Sequence, residues 1–262
     1  MEKLKRGAST AIRIIPCLDI KAGRVVKGTR FVNLVDSGDP AALARRYETE
    51  GADEIALLDI SATQEDRKTT LDSVVAVREA LSIPLMVGGG VRSVSDACRL
   101  LDSGADRVSI NSAAVRNPSI LRELATRFGV QCVVAAVDAR LVVSDNKVRW
   151  TVWIEAGSVD TGLDVVEWAR RASGEGAGEV LLTSIDRDGT GLGYDLELLR
   201  QLCAAVKVPV VASGGASKYN DFLEGINAGA RAVLAAGVFH RGEIEIGALK
   251  EYLYEQGVEV RR

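Results

Sequence analysis

The chain has 262 residues, 47% of them apolar and 26% charged, with a formal net charge of −3. That is the composition of a globular protein with a full core. It lacks the basic excess of a nucleic-acid surface, and no apolar run reaches the roughly 18 residues of a membrane span.

In chain order, a strand is predicted over 12–18, then a long first loop over 21–39 carrying Lys27 and Arg30. A helix over 40–50 follows, with Asp39 as its N-cap and Pro40 at its first position. Strand 55–58 leads to helix 71–80, where positions 71, 74, 75 and 77 keep helical period. Strand 85–87 leads to helix 95–101, and strand 107–110 to a helix opened by Pro118 with Asn117 as N-cap. The second half pairs strand 132–137 with helix 161–172, 180–182 with 196–205, 210–212 with 219–227, and 232–235 with 245–254. Residues 1–11 lack the apolar core of a secretory leader and read as a flexible tail of a single domain spanning 1–262.

The strands are almost continuously apolar, so both of their faces are covered, as in parallel strands flanked by helices. Eight such units in this length predict an α/β fold, a (β/α)8 TIM barrel. The other arrangement, a doubly wound open sheet, is weakened by the lack of a GxGxxG turn after the first strand. An internal repeat strengthens the barrel reading. Glu50-Gly51-Ala52 recurs 125 positions later as Glu175-Gly176-Ala177, Pro84 as Pro209, Gly89-Gly90 as Gly214-Gly215, and Gly104-Ala105 as Gly229-Ala230. The period is too long for a solenoid and fits two homologous (β/α)4 half-barrels closing on each other.

The single histidine, His240, excludes zinc held by histidines and paired-histidine chemistry. Cys17, Cys98, Cys132 and Cys203 are far apart, show no CxxC spacing, and read as small buried apolar residues in a reducing, cytoplasmic compartment. Proton transfer therefore falls to carboxylates, lysines or tyrosines. In a barrel the chemistry sits where strands end. Strand one ends in Asp19 and strand five in Asp138, at the same place in the two halves. Two carboxylates in different surroundings suit a general acid and a general base, although each aspartate could equally close a turn.

Strands three and seven end in Gly88-Gly89-Gly90 and Gly214-Gly215; strands four and eight end in Asn111-Ser112 and Ala236-Gly237. Such turns let backbone amides approach an anion, and the loops after strands seven and eight are the usual phosphate site of these barrels. The repeat predicts a second site, hence a ligand with a phosphate at each end; tight turns alone are the plainer alternative. After strand six, Asp188-Gly189 is placed to hold the ligand beside Gly215. A long first loop suits a lid, with Lys27 over an anionic substrate or merely solvated.

These residues carry a resemblance. The stretches 13–19, 23–28, 36–40, 88–90, 108–111 and 181–190, with Phe239-His240, make the chain similar to the cyclase subunits of imidazole glycerol phosphate synthase, of histidine biosynthesis. The resemblance covers 13–261. It implies a lyase that uses ammonia and a phosphoribulosyl-formimino aminoimidazole carboxamide ribonucleotide, a bisphosphorylated substrate, and no cofactor or metal. It implies Asp19 and Asp138 as catalytic pair and Lys27 as a loop cation. It also implies a glutaminase subunit docked at the N-terminal face. Ammonia from that subunit would pass a charged gate of Arg13, Glu54, Arg107 and Glu179. Arg107 stands where lysine is expected, Gly237 where serine is frequent, and Ala156 at a glycine or small polar position. The loop 141–158 departs most from the family. Two other readings stay open: the sister isomerase of the same pathway, disfavoured by Val26-Lys27-Gly28 and the run 186–190, and a non-catalytic phosphate-binding scaffold.

Overall fold

Alternation along one strand shows why both faces of these strands are apolar. In β1 (Arg13–Lys21), Ile15 and Cys17 join the cluster inside the barrel, whereas Ile14, Leu18 and Ile20 join the layer beneath the helices. Side chains two apart share a face, so a strand enclosed on both sides has no position left for solvent. The computed structural model describes residues 11–29, 32–60, 71–144 and 147–261, with backbone alone at 27–29, 32–36, 144 and 147. Residues 1–10 of the expected tail lie outside the described residues, while Ile12 pairs with Val260.

The first half continues with β2 (Arg24–Thr29), β3 (Val32–Gly38), α1 (Pro40–Thr49), β4 (Ile55–Asp59), α2 (Leu71–Ala80) and β5 (Leu85–Gly88). It ends with α3 (Val94–Asp102), β6 (Arg107–Ile110), α4 (Ser112–Arg116) and α5 (Ser119–Phe128). The second half comprises β7 (Val133–Ser144), β8 (Lys147–Ile154), β9 (Val159–Asp164), α6 (Val165–Gly174), β10 (Glu179–Ser184) and α7 (Leu196–Ala205). Then come β11 (Val210–Ser213), α8 (Tyr219–Asn227), β12 (Ala232–Ala235), α9 (Gly237–His240) and α10 (Ile246–Glu255). Among the described residues, β1, β4, β5, β6, β7, β10, β11 and β12 pair in parallel in that order, and β12 returns to β1. This is a closed (β/α)8 barrel.

The strand registers carry the repeat. Ile55 pairs with Leu85 as Val180 pairs with Val210, and Val87 with Val108 as Ala212 with Val233. On the opening strands, Cys17 pairs with Ala56 as Ala136 pairs with Leu181. The halves differ in length only between the strand-end aspartate and the helix cap: 20 positions from Asp19 to Asp39, 26 from Asp138 to Asp164. Both caps accept backbone N–H groups of their helix, Asp39 from Ala42, Asp164 from Val166 and Glu167. Such a cap is worth about 1 kcal/mol.

Three expectations need correction. The first loop is partly an antiparallel hairpin, β2 on β3; the apolar run of β2, Val25-Val26, is too short to stand out between Gly23 and Gly28. The helix expected from 161 begins at Val165, because β9 runs to Asp164 and the Thr161 hydroxyl donates to the Val152 carbonyl at 2.7 Å. Asn117 lies one residue outside the cap position of α5, and its side chain accepts from the Ser119 N–H and hydroxyl.

Barrel closure is reinforced by one buried ion pair. Lys250 of α10 lies 2.9 Å from Asp53, whose second oxygen accepts the Ile14 N–H at 2.8 Å. Replacing Lys250 by Met leaves Asp53 buried without a counter-charge, which costs roughly 3–5 kcal/mol. Urea unfolding of Lys250→Met should register that loss, and a loss below about 1 kcal/mol contradicts the assigned role.

Candidate active site

A cavity of about 890 Å³ opens at the C-terminal ends of the barrel strands. That is the size of a small-molecule site. Asp19, Gly90, Asn111, Ser112, Asp138, Asp188, Gly189, Gly214, Gly215, Ala236 and Gly237 all border it, so every described candidate at this end is brought to one place. Lys27 belongs to β2 by its backbone, and its side chain lies outside the described residues.

The two aspartates occupy equivalent register positions: Asp19 pairs with Leu58 and Asp138 with Thr183, residues one repeat apart. Their partners differ. The Cys17 thiol donates to Asp19 Oδ1 at 3.3 Å. Asp138 Oδ2 accepts from Asn111 Nδ2 at 3.0 Å, and the same amide donates to the Trp153 carbonyl at 3.1 Å. Trp153 stands opposite Asp138 in the β7–β8 ladder, so the hairpin expected to be a divergent loop buttresses the acid. Burial pushes the Asp138 carboxyl up to about 7; the Asn111 hydrogen bond opposes the rise and the Asp188 carboxylate adds to it. A half-protonated carboxylic acid near neutral pH suits general acid catalysis.

Glycines shape both ends of the cavity. A Cβ on Gly89 would stand 2.0 Å from the Asp59 carbonyl oxygen, and one on its repeat mate Gly214 2.8 Å from that of Ser184; both residues have positive φ, 88° and 94°. Only glycine fits there, which accounts for the matched pairs in the sequence. The loop after β10 is stitched beside them: Asp188 N–H donates to Ser184 O, and Gly193 N–H to Gly215 O, both at 2.9 Å. Ala156 borders the cavity with φ 52°, a left-handed conformation that fits a position where glycine is usual.

At the N-terminal end of the strands, the four expected gate residues form one charged ring. The Arg13 guanidinium pairs with both Glu54 and Glu179. Arg107 Nη1 lies 2.6 Å from Glu179 and 3.7 Å from Glu54. Burial lifts the Glu54 pKa above the usual carboxylate range against the pull of Arg107 and Arg13. For Arg13, burial works against the charge and is outweighed by Glu179 and Glu54, which hold it raised.

Sequence reasoning missed several residues. Cys17, read as a small buried apolar residue, faces the cavity and bonds Asp19; Cys98 is buried, Cys132 and Cys203 are half-buried, and none of the four is in a disulfide. Arg116, His240 and Arg241 also border the cavity. The arginines were detectable, because they stand 125 positions apart, in step with the repeat. Among the described residues, no three His, Cys, Asp or Glu side chains gather as metal ligands, and no helix is long and apolar enough to cross a membrane.

Fold and site together define the class: a (β/α)8 barrel enzyme with paired carboxylates at its C-terminal mouth. The histidine biosynthesis protein family matches residues 13–245, and the chain belongs to that family. Three curated relatives carry the name imidazole glycerol phosphate synthase subunit HisF. That of Metallosphaera sedula is 56% identical over 253 residues, covering 96% of this chain and 99% of the relative. That of Pyrobaculum aerophilum is 55% identical over 253 residues, covering 96% and 98%. That of Endomicrobium trichonymphae is 50% identical over 251 residues, covering 96% and 95%.

The Asp138 carboxyl can be titrated directly by 13C NMR. A midpoint at about 7 is expected. Asn111→Ala removes a donor that favours the carboxylate, so its midpoint should move higher still. A wild-type midpoint in the ordinary range near 4 contradicts this account of the site.

Proposed function

We propose that this chain is the cyclase subunit of an imidazole glycerol phosphate synthase. It would convert ammonia and phosphoribulosyl-formimino aminoimidazole carboxamide ribonucleotide to imidazole glycerol phosphate, aminoimidazole carboxamide ribonucleotide and water. The observation that carries the reading is the pair of register-equivalent aspartates on one cavity with a glycine-lined loop at each end. The HisF names of the relatives favour it over the isomerase and the scaffold.

In this reading the loops after β5 and β6 hold one phosphate and those after β11 and β12 the other, with Lys27 over the ligand. Asp138, protonated in part at neutral pH, gives its proton to the departing aminoimidazole nitrogen. Asp19, steadied by the Cys17 thiol, accepts the proton released as ammonia nitrogen adds to the ribulosyl ketone, whose oxygen leaves as water before the ring closes. The relatives are named as subunits, and a partner subunit is proposed here too: a glutaminase on the N-terminal face, delivering ammonia past the ring of Arg13, Glu54, Arg107 and Glu179. Arg107 Nη1 reaches both glutamates, as Arg13 does, so passage requires these ion pairs to open. A cytoplasmic setting accompanies this assignment.

Ammonium-driven turnover of the ribulosyl substrate tests the proposal. Asp19→Asn and Asp138→Asn should each lose at least about 100-fold in kcat while remaining folded. The acid form of Asp138 is lost as pH rises through about 7, so wild-type kcat should decline on that alkaline limb. Normal turnover by either variant, or turnover independent of ammonium, overturns the assignment.

A further inference from the structure

Arg116 and Arg241 are repeat mates, and so are Ser112 and Gly237, which open the one-turn helices α4 and α9. Arg116 closes α4 and Arg241 follows α9 directly, so each anion loop has one arginine a helical turn beyond it, at the cavity edge. Both guanidiniums are largely exposed, 57% and 58%, and each is held by a glutamate outside the barrel strands.

At the second loop the geometry is directional. Glu243 binds one edge of Arg241, Nε at 2.6 Å and Nη2 at 2.9 Å. The remaining nitrogen, Nη1, stands 2.7 Å from where a Gly237 Cβ would lie. It therefore occupies the space a side chain at Gly237 would take. Where the first half has the Ser112 hydroxyl, the second has a guanidinium nitrogen. α9 itself is pinned: the Tyr47 hydroxyl and His240 Nδ1 are 2.5 Å apart, with their rings stacked. At the first loop, Glu155 plays the corresponding part. Its N–H donates to the Ser112 hydroxyl at 3.0 Å and its carboxylate pairs with Arg116.

We infer that Arg241 and Arg116 are phosphate-binding residues, one for each phosphate monoester of a doubly phosphorylated ligand, each held at the cavity edge by a glutamate. The inference rests on the two-anion reading proposed above. A guanidinium whose one edge is occupied by carboxylate still offers N–H donors from the other, and its planar fork suits a phosphate oxygen pair. The glutamates lower the entropy cost of bringing each flexible arm into place.

Steady-state kinetics with the bisphosphorylated substrate and calorimetric titration with inorganic phosphate test this together. Arg241→Ala and Arg116→Ala should each raise KM roughly tenfold, the value of one lost charge-assisted contact, with a much smaller fall in kcat. Arg241→Lys should recover part of the loss, and Glu243→Gln should raise KM in the same direction by less. A KM within twofold of wild type in either alanine variant overturns the assignment of that arginine. The phosphate titration separates the causes of failure. If wild type binds two phosphates and the alanine variants bind both equally well, only the arginine roles fall. If wild type binds none, the two-anion reading falls and takes the inference with it.

Discussion

Closure of the eight-strand ladder is the constraint from which the site follows. A barrel has no free edge, so the register of each strand is fixed by two neighbours at once. Asp19 is held level with Leu58, and Asp138 with Thr183, one repeat further along. A slip of one residue on β1 or β7 would turn its aspartate out of the barrel. The six-residue difference between the halves is absorbed beyond the aspartates, in the hairpin excursions, so neither carboxylate is displaced.

Equivalent positions do not mean equivalent chemistry. Cys17 beside Asp19 corresponds to Ala136, and Asn111 beside Asp138 corresponds to Ala236. Both donors thus come from the first half, and the second half carries alanine at each of the two positions. One aspartate is served by a thiol on its own strand, the other by an amide from the neighbouring strand. Asp138 is further placed beside Asp188, which favours its protonated form. The ring at the other end keeps symmetry in its acids, Glu54 and Glu179, and breaks it in its bases, since Arg13 and Arg107 correspond to Cys132 and Ala232.

Much of this was legible in the residues. The offset of 125 positions, with Gly89-Gly90 and Gly214-Gly215 in step, was enough for twin half-barrels and two anion loops, because a close backbone approach leaves no substitute for glycine. The strand-end aspartates were legible because each closes the first strand of its half. What was hidden depends on individual side-chain contacts. The Cys17–Asp19 bond and the Asn111–Trp153 bond leave no periodic trace. α4 and α9 are too short for a helical period, so nothing but their 125-residue spacing marks Arg116 and Arg241 in the sequence. Residues 161–164 of β9 read as helix because they precede an amphipathic run, and only the ladder to β8 shows where the strand stops.

The central claim is that one ligand is gripped at both ends with its reacting centre between two carboxylates. A crystal structure of the protein grown in inorganic phosphate addresses it most directly. The account predicts two bound anions, one against Gly90 and Ser112 and one against Gly215 and Gly237, with Asp19 and Asp138 facing the space between them. Anion density at neither loop, or at one loop only, would contradict it.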